Sequence, residues 1–157
     1  MKIKDCMKLN VVSISDSATI GDAAGRLASR HIGMLPVVDS AGRLVGPLQL
    51  RDLLAPVMPD FVRLIEDFDF VHDFGVLESR QPSPEAMARS VREVMQPPLA
   101  VDENCGLLRA FALLRQHDLH DLPVVAHGDR LVGIASRVDI GTALLAGWRT
   151  AAQEKGG

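Results

Sequence analysis

The sequence predicts an α/β fold made of two β-α-β-β-α units related by an approximate two-fold axis. Three observations predict it: an internal repeat, the apolar patterning within each copy, and the shortness of the repeating unit. Leu35-Pro36-Val37-Val38, Arg43-Leu44-Val45-Gly46 and Asp52 recur 87 positions later as Leu122-Pro123-Val124-Val125, Arg130-Leu131-Val132-Gly133 and Asp139, and nine of the eighteen positions from Leu35 to Asp52 are identical. The same offset pairs Ile14 with Val101, Asp16 with Glu103, Ile20 with Leu107 and Ala23 with Ala110. A unit of about fifty residues buries only about 60% of its unfolded surface, so two copies are expected to share one core.

In the first unit Val11-Val12-Ser13-Ile14 reads as a short strand. Thr19-Ile20-Gly21-Asp22 then starts a helix as a capping box with Asp in the place of Glu. Ile20, Ala23, Ala24, Leu27 and Ala28 follow at the i, i+3, i+4, i+7, i+8 spacing of one apolar face. Met34 to Val38 is a buried strand. Asp39-Ser40-Ala41-Gly42, with Asp first and Gly last, turns the chain into a second strand over Leu44 to Leu48, and Asp52 is placed to cap a closing helix.

The second unit repeats this plan. It has a strand at Leu99 to Val101, a helix carrying Leu107, Ala110, Phe111 and Leu114, strands at Leu122 to Val125 and Leu131 to Ala135, and a helix opening at Asp139 that continues through Leu144, Leu145 and Trp148. The units span residues 1–55 and 92–150, and the tail 151–157 is expected to fray. The segment 56–91 has no counterpart in the repeat, yet it holds four of the five phenylalanines, Phe61, Phe68, Phe70 and Phe74. A solvated linker does not concentrate aromatics, so this insert is expected to be ordered, either over its own pair of units or against a second subunit or partner. Ser83-Pro84-Glu85 marks a short helix in it, with Pro at the first helical position.

Composition narrows the function. At 157 residues, 47% hydrophobic and 24% charged, the chain has the make-up of a soluble globular protein. A net charge of -3 gives no basic field for nucleic acid or an anionic membrane. No run approaches the eighteen or so apolar residues of a membrane span, and the first residues lack the core of a signal peptide, which predicts a cytoplasmic protein. Two cysteines, Cys6 and Cys105, make neither a disulfide framework nor a zinc cage. Of the five histidines only His117 and His120 are close, and they straddle a helix end. With no phosphate-binding glycine loop and no nucleophile motif, the sequence points away from an enzyme.

The succession of strand, amphipathic helix, Leu-Pro-Val-Val, turn, Leu-Val-Gly and Gly-x-x-Ser-x-x-Asp resembles the CBS domain, named after cystathionine beta-synthase. Two copies resemble the CBS pair, or Bateman module. Gly133-Ile134-Ala135-Ser136-Arg137-Val138-Asp139 matches the motif in full. The resemblance implies two clefts between the copies that take adenosine derivatives such as AMP, ADP, ATP or S-adenosylmethionine, and a homodimer of flat modules. The motif's chemistry agrees with it. A carboxylate at a helix start suits the two hydroxyls of a ribose, and a serine beside free backbone N-H groups suits a phosphate.

Carried over position by position, the resemblance assigns Asp139 to the ribose, Ser136 to the first phosphate, and Ile134, Val12 and Ile32 to the base. It places His120 toward the phosphates. Asp121, beside it, disfavours a polyphosphate and so favours an AMP-like or uncharged adenosine ligand. The first copy departs from the motif: Gln49 replaces the serine, Pro47 removes a backbone donor, and Gly33 stands opposite His120. Asp52 and Gln49 therefore mark a weaker second cleft. The units are expected to pack through their helices. Two readings remain open, a stand-alone regulatory module that senses an adenosine ligand and acts on an unidentified partner, and a constitutive dimeric adaptor with non-functional clefts.

Overall fold

Each unit closes on a three-stranded sheet whose middle strand is the Leu-Pro-Val-Val segment. The computed structural model describes residues 1–58 and 73–156. The first unit contains β1 (Ile14–Ser15), α1 (Ile20–Arg30), β2 (Met34–Val38), β3 (Leu44–Gln49) and α2 (Leu50–Leu54). The second contains β4 (Val101–Asp102), α4 (Leu107–Gln116), β5 (Asp121–Ala126), β6 (Arg130–Ser136) and α5 (Arg137–Lys155), and α3 (Pro84–Met87) lies between them. In both sheets the first strand runs parallel to the middle one and the third antiparallel to it. Even the irregularity is repeated, with a register shift between Val37 and Val38 and another between Val124 and Val125.

Local chemistry sets the boundaries. The Thr19 hydroxyl accepts from Asp22 N at 3.1 Å while the Asp22 carboxylate accepts from Thr19 N at 3.0 Å, which closes the predicted capping box. The Ser83 hydroxyl caps α3 in the same way, accepting from Ala86 N at 3.1 Å. Both long helices of the sheets' crossovers end on a left-handed residue that is not glycine: His31 after α1 and Asp118 after α4, 87 positions apart. Each is followed by the same five-residue bond, Ile32 N to Leu27 O at 3.2 Å and Leu119 N to Leu114 O at 2.8 Å. α5 extends to Lys155, into the stretch expected to fray.

The strands predicted from Val11 and Leu99 are shorter than expected, because the chain is still crossing from the other unit when it reaches them. Residues 2–8 form a strap on the second unit: Ile3 N bonds Cys105 O at 2.8 Å, and Lys8 exchanges bonds of 2.8 and 3.0 Å with Ile134. Residues 90–96 form the matching strap on the first unit, with Val91 N to Ala18 O at 3.0 Å and Gln96 N to Pro47 O at 2.9 Å. Pro47 has no N-H, so this second crossing makes one bond where Lys8 makes two. In place of the one shared core expected, the buried residues form two, because each sheet packs its own helices, and Ile3 and Val91, both fully buried, anchor the straps in opposite ones.

The expected packing of the units through their helices is corrected by these contacts. α1 packs on α2 of its own unit and on α3 of the insert, and α4 packs on α5 of its own unit. Between the units, Met34 of β2 enters the second core, Arg43 bridges Arg130, and Leu131 N bonds Gly42 O at 3.1 Å. Hairpin residues and straps thus supply these contacts between the units.

Of the insert's phenylalanines, Phe61, Phe68 and Phe70 lie outside the described residues. Phe74 N donates to the Glu78 carboxylate at 3.0 Å. Among the described residues, no helix is long and apolar enough to cross a membrane.

Candidate functional site

The Ser136–Asp139 motif is a reciprocal cap. Ser136 is the residue before α5, and Asp139 is its third residue. Ser136 N donates to Asp139 Oδ2 at 2.8 Å, and Asp139 N donates to Ser136 Oγ at 3.0 Å. The helix thus opens at Arg137, two residues before the carboxylate expected to open it. The cap leaves two functional groups over. The Ser136 hydroxyl keeps its proton to donate, and Asp139 Oδ1 accepts no hydrogen bond among the described residues.

A cation stands beside this pair. Lys8 Nζ lies 3.6 Å from Asp139 Oδ2, brought there by the strap's pairing with Ile134. Burial raises the Asp139 carboxyl, but the hydrogen bonds from Ser136 and the Lys8 charge outweigh it and hold the group below its ordinary value. Asp121 behaves oppositely: burial pushes it up, and Asp139 adds to the rise, against the opposing charges of His120 and Lys8. Burial, then Asp139 and Asp5, also raise the Cys6 thiol.

Three cavities follow the interface between the units. The first, about 290 Å³, is lined by Val12, Ile32 and Ile134 together with Lys8, Asn10, His31 and Asp121. The three apolar residues assigned to a base are therefore brought together, and Ser136 and Asp139 stand at the edge of this cleft through Lys8. A second cavity, about 300 Å³, adjoins it and shares Gly33, Met34 and Asp121. His120 lines this neighbour, not the cleft itself, because it precedes β5 on the side that faces Gln49 and Arg51.

The third cavity, about 360 Å³, is the first cleft's counterpart across the two-fold axis. Pro47, Leu99 and Leu119 occupy the places of Ile134, Val12 and Ile32, with Gln49, Arg51, Gln96 and His117 around them. Asp52 is not free here. Its Oδ2 accepts from Gln49 N at 2.8 Å and its Oδ1 from Gln96 Nε2 at 2.9 Å. It lines instead another cavity, of about 480 Å³, between Ile20, Leu53, Pro56 and the insert's Pro82 and Ala86. His117 and His120, close in sequence, face different cavities, and no group of three metal-ligating side chains is gathered among the described residues.

Lys8 was not singled out from sequence, although a signal for it exists. Ile3-Lys4-Asp5-Cys6-Met7 and Val91-Arg92-Glu93-Val94-Met95 repeat an apolar, cationic, acidic, apolar, Met pattern at an offset of 88. The one-residue change of offset separates this match from the 87-residue repeat. It also pairs Lys8 with Gln96, whose side chains make the same contact twice, ammonium to Asp139 and amide to Asp52.

The sequence profile of the CBS domain matches residues 3–57 and 91–146. The chain belongs to the CBS-domain family. Across its length this CBS pair is 29% identical over 140 residues to an uncharacterized protein of Methanocaldococcus jannaschii, covering 88% of the chain and 31% of that protein. The chain thus spans about a third of that relative's length. It is 27% identical over 139 residues to a CBS domain-containing protein of Dictyostelium discoideum, covering 88% of the chain and 87% of the relative. Among solved structures it is similar to the CBS-pair protein CBSX2 from Arabidopsis thaliana, with a TM-score of 0.72 and 28% identity over 94% of this chain and 96% of that one. CBSX2 has also been crystallised in complex with AMP; that structure has a TM-score of 0.68, with 28% identity over 92% of this chain and 96% of that one.

Proposed function

We propose that this CBS pair is a regulatory module that binds an adenosine ligand, AMP-like above all, in the cleft between β6 and the α1–β2 corner. The base lies among Val12, Ile32 and Ile134, Asp139 Oδ1 takes the ribose hydroxyls, and the Ser136 hydroxyl meets the phosphate, with His120 reached only by a ligand that extends into the adjoining cavity. The observation that carries this reading is the difference between the two carboxylates. Among the described residues Asp139 keeps one oxygen free at the edge of the cleft that holds Val12, Ile32 and Ile134, whereas Asp52 has both engaged. The similarity to CBSX2, which binds AMP, supports the ligand class. Cleft and adjoining cavity together fall within the range of about 300 to 1,000 Å³ usual for small-molecule sites. The module works by binding and not by catalysis, as a homodimer, and passes ligand occupancy to a partner protein.

The test is thermal stabilisation by AMP, ADP, ATP and S-adenosylmethionine. At about 100 times the dissociation constant a ligand stabilises the folded state by about 2.7 kcal/mol, a rise of roughly 5 to 10 °C for a chain of this length. Asp139→Ala is expected to remove most of the shift and Asp52→Ala to leave it. No shift with any of the four at millimolar concentration, or a larger loss from Asp52→Ala, makes the constitutive adaptor the correct reading. That alternative draws on the second cleft, where Pro47, Gln49 and the doubly bonded Asp52 leave little to hold a nucleotide.

A further inference from the structure

The two clefts differ most in what the crossing strap delivers to them. In the first, Lys8 is fixed by two backbone bonds to Ile134, lines the cavity, and leaves its side chain 66% exposed, held only by the 3.6 Å contact with Asp139. In the second, the equivalent Gln96 hydrogen-bonds Asp52 and supplies no charge, and the cation in that wall, Arg51, comes from α2 and not from the strap. The first cleft would otherwise be a poor place for an anion. Asp121 is in its wall and Asp139 lies beside Lys8 at its edge, and among the described residues His31 is its one other titratable wall residue.

We propose that Lys8, supplied by the strap that crosses from the first unit, binds the ligand's phosphate in the first cleft together with the Ser136 hydroxyl. This rests on the adenosine-ligand reading and deepens it. Without a ligand, Lys8 neutralises Asp139. When a ribose takes the free side of Asp139, the exposed ammonium is within reach of both the carboxylate and a phosphate carried on the same sugar, and offsets the repulsion from Asp121. The cation comes from one unit and the carboxylate from the other, so ligand binding ties the strap to α5. A neutral adenosine gains nothing from Lys8, which is what makes the assignment measurable.

The experiment compares AMP with adenosine by calorimetry on the full chain, for the wild type, Lys8→Gln and Gln96→Lys. Lys8→Gln copies the residue of the second cleft and keeps the backbone pairing. It is expected to weaken AMP by about tenfold, the low end for a hydrogen bond to a charged group, and to leave adenosine within about twofold. The wild type's loss of AMP affinity between low and high salt is expected to shrink in the variant. Gln96→Lys is expected to strengthen AMP at the second cleft, seen as tighter AMP binding in the Asp139→Ala background. Equal weakening of AMP and adenosine by Lys8→Gln overturns the assignment and leaves the adenosine-ligand reading standing, because Lys8 then acts only through the cleft's shape. A wild type that binds neither compound overturns both.

Discussion

Two aspartates near one cleft, Asp121 at the start of β5 and Asp139 in the first turn of α5, are driven in opposite directions. Asp139 is capped into a helix start and held below its ordinary value of 3.8, and Asp121 is half-buried and held above it. A carboxyl raised on folding gives stability that is full below the unfolded value and is lost as the pH rises through the folded one; a carboxyl lowered on folding gives stability that is present above the unfolded value and is lost as the pH falls through the folded one. Asp121→Asn is therefore expected to stabilise the protein at pH 7, with the gain shrinking as the pH approaches 4. Urea melts at the two pH values check it, and a gain that does not change with pH would mean that charge is not the cause. Asp139→Ala acts the other way. It removes half of the α5 cap and is expected to cost about 1 kcal/mol near neutral pH, about 2 to 4 °C in melting temperature. His31 gives a third outcome at this scale. Its left-handed backbone, φ 54°, strains a side chain with a Cβ, so His31→Gly is expected to raise stability by about 1 kcal/mol in thermal melts without ligand.

At the scale of elements, the straps explain the glycine of each Leu-Val-Gly. A Cβ on Gly133 would meet Met7 Sδ at 2.5 Å, and one on Gly46 would collide with the Gln96 carbonyl, so each glycine is where a strap passes over its sheet. The obstacles differ in kind. Met7 presents a flexible side chain, whereas the Gln96 carbonyl is backbone, in a residue whose N-H donates to Pro47 O. Gly46→Ala is expected to cost about 1 to 3 kcal/mol and Gly133→Ala distinctly less, and equal losses in denaturant melts would show that the straps yield alike. The sheets, the two long crossover helices and the Thr19 box were legible from sequence because each depends on local chemistry: period, turn and cap. The straps were not, since Ile3 and Val91 are read as ordinary residues before a unit, and only tertiary contact sends each to the other core. The same gap hid Lys8. For a related reason, position beside β5 does not say which of two adjoining cavities the His120 side chain lines.

For the whole molecule, what remains to be covered is apolar surface on the helices. Val138, Leu145 and Trp148 of α5 are 69%, 51% and 71% exposed, and spacings of seven and three residues put them along one face. Scattered exposed leucines need no explanation, but an aligned face ending in tryptophan is the composition of an interface core. It lies on the helix that begins with Ser136 and Asp139, so an assembly built on it is joined rigidly to the proposed ligand site. The homodimer we propose is expected to use this face. Trp148→Glu places a charge at its end and is expected to raise the dimer's dissociation constant by about thirtyfold or more, the loss of about 2 kcal/mol typical of a buried aromatic anchor. Light scattering at micromolar concentration reads the outcome directly. A monomeric wild type would remove the dimer, and a Trp148→Glu variant as dimeric as the wild type would move the interface away from α5. Since Trp148 touches neither cleft lining, AMP affinity measured on the monomeric variant separates the ligand site from the assembly: if it is unchanged, each module binds alone, and if it falls, dimerisation and binding at the Asp139 cleft are thermodynamically linked.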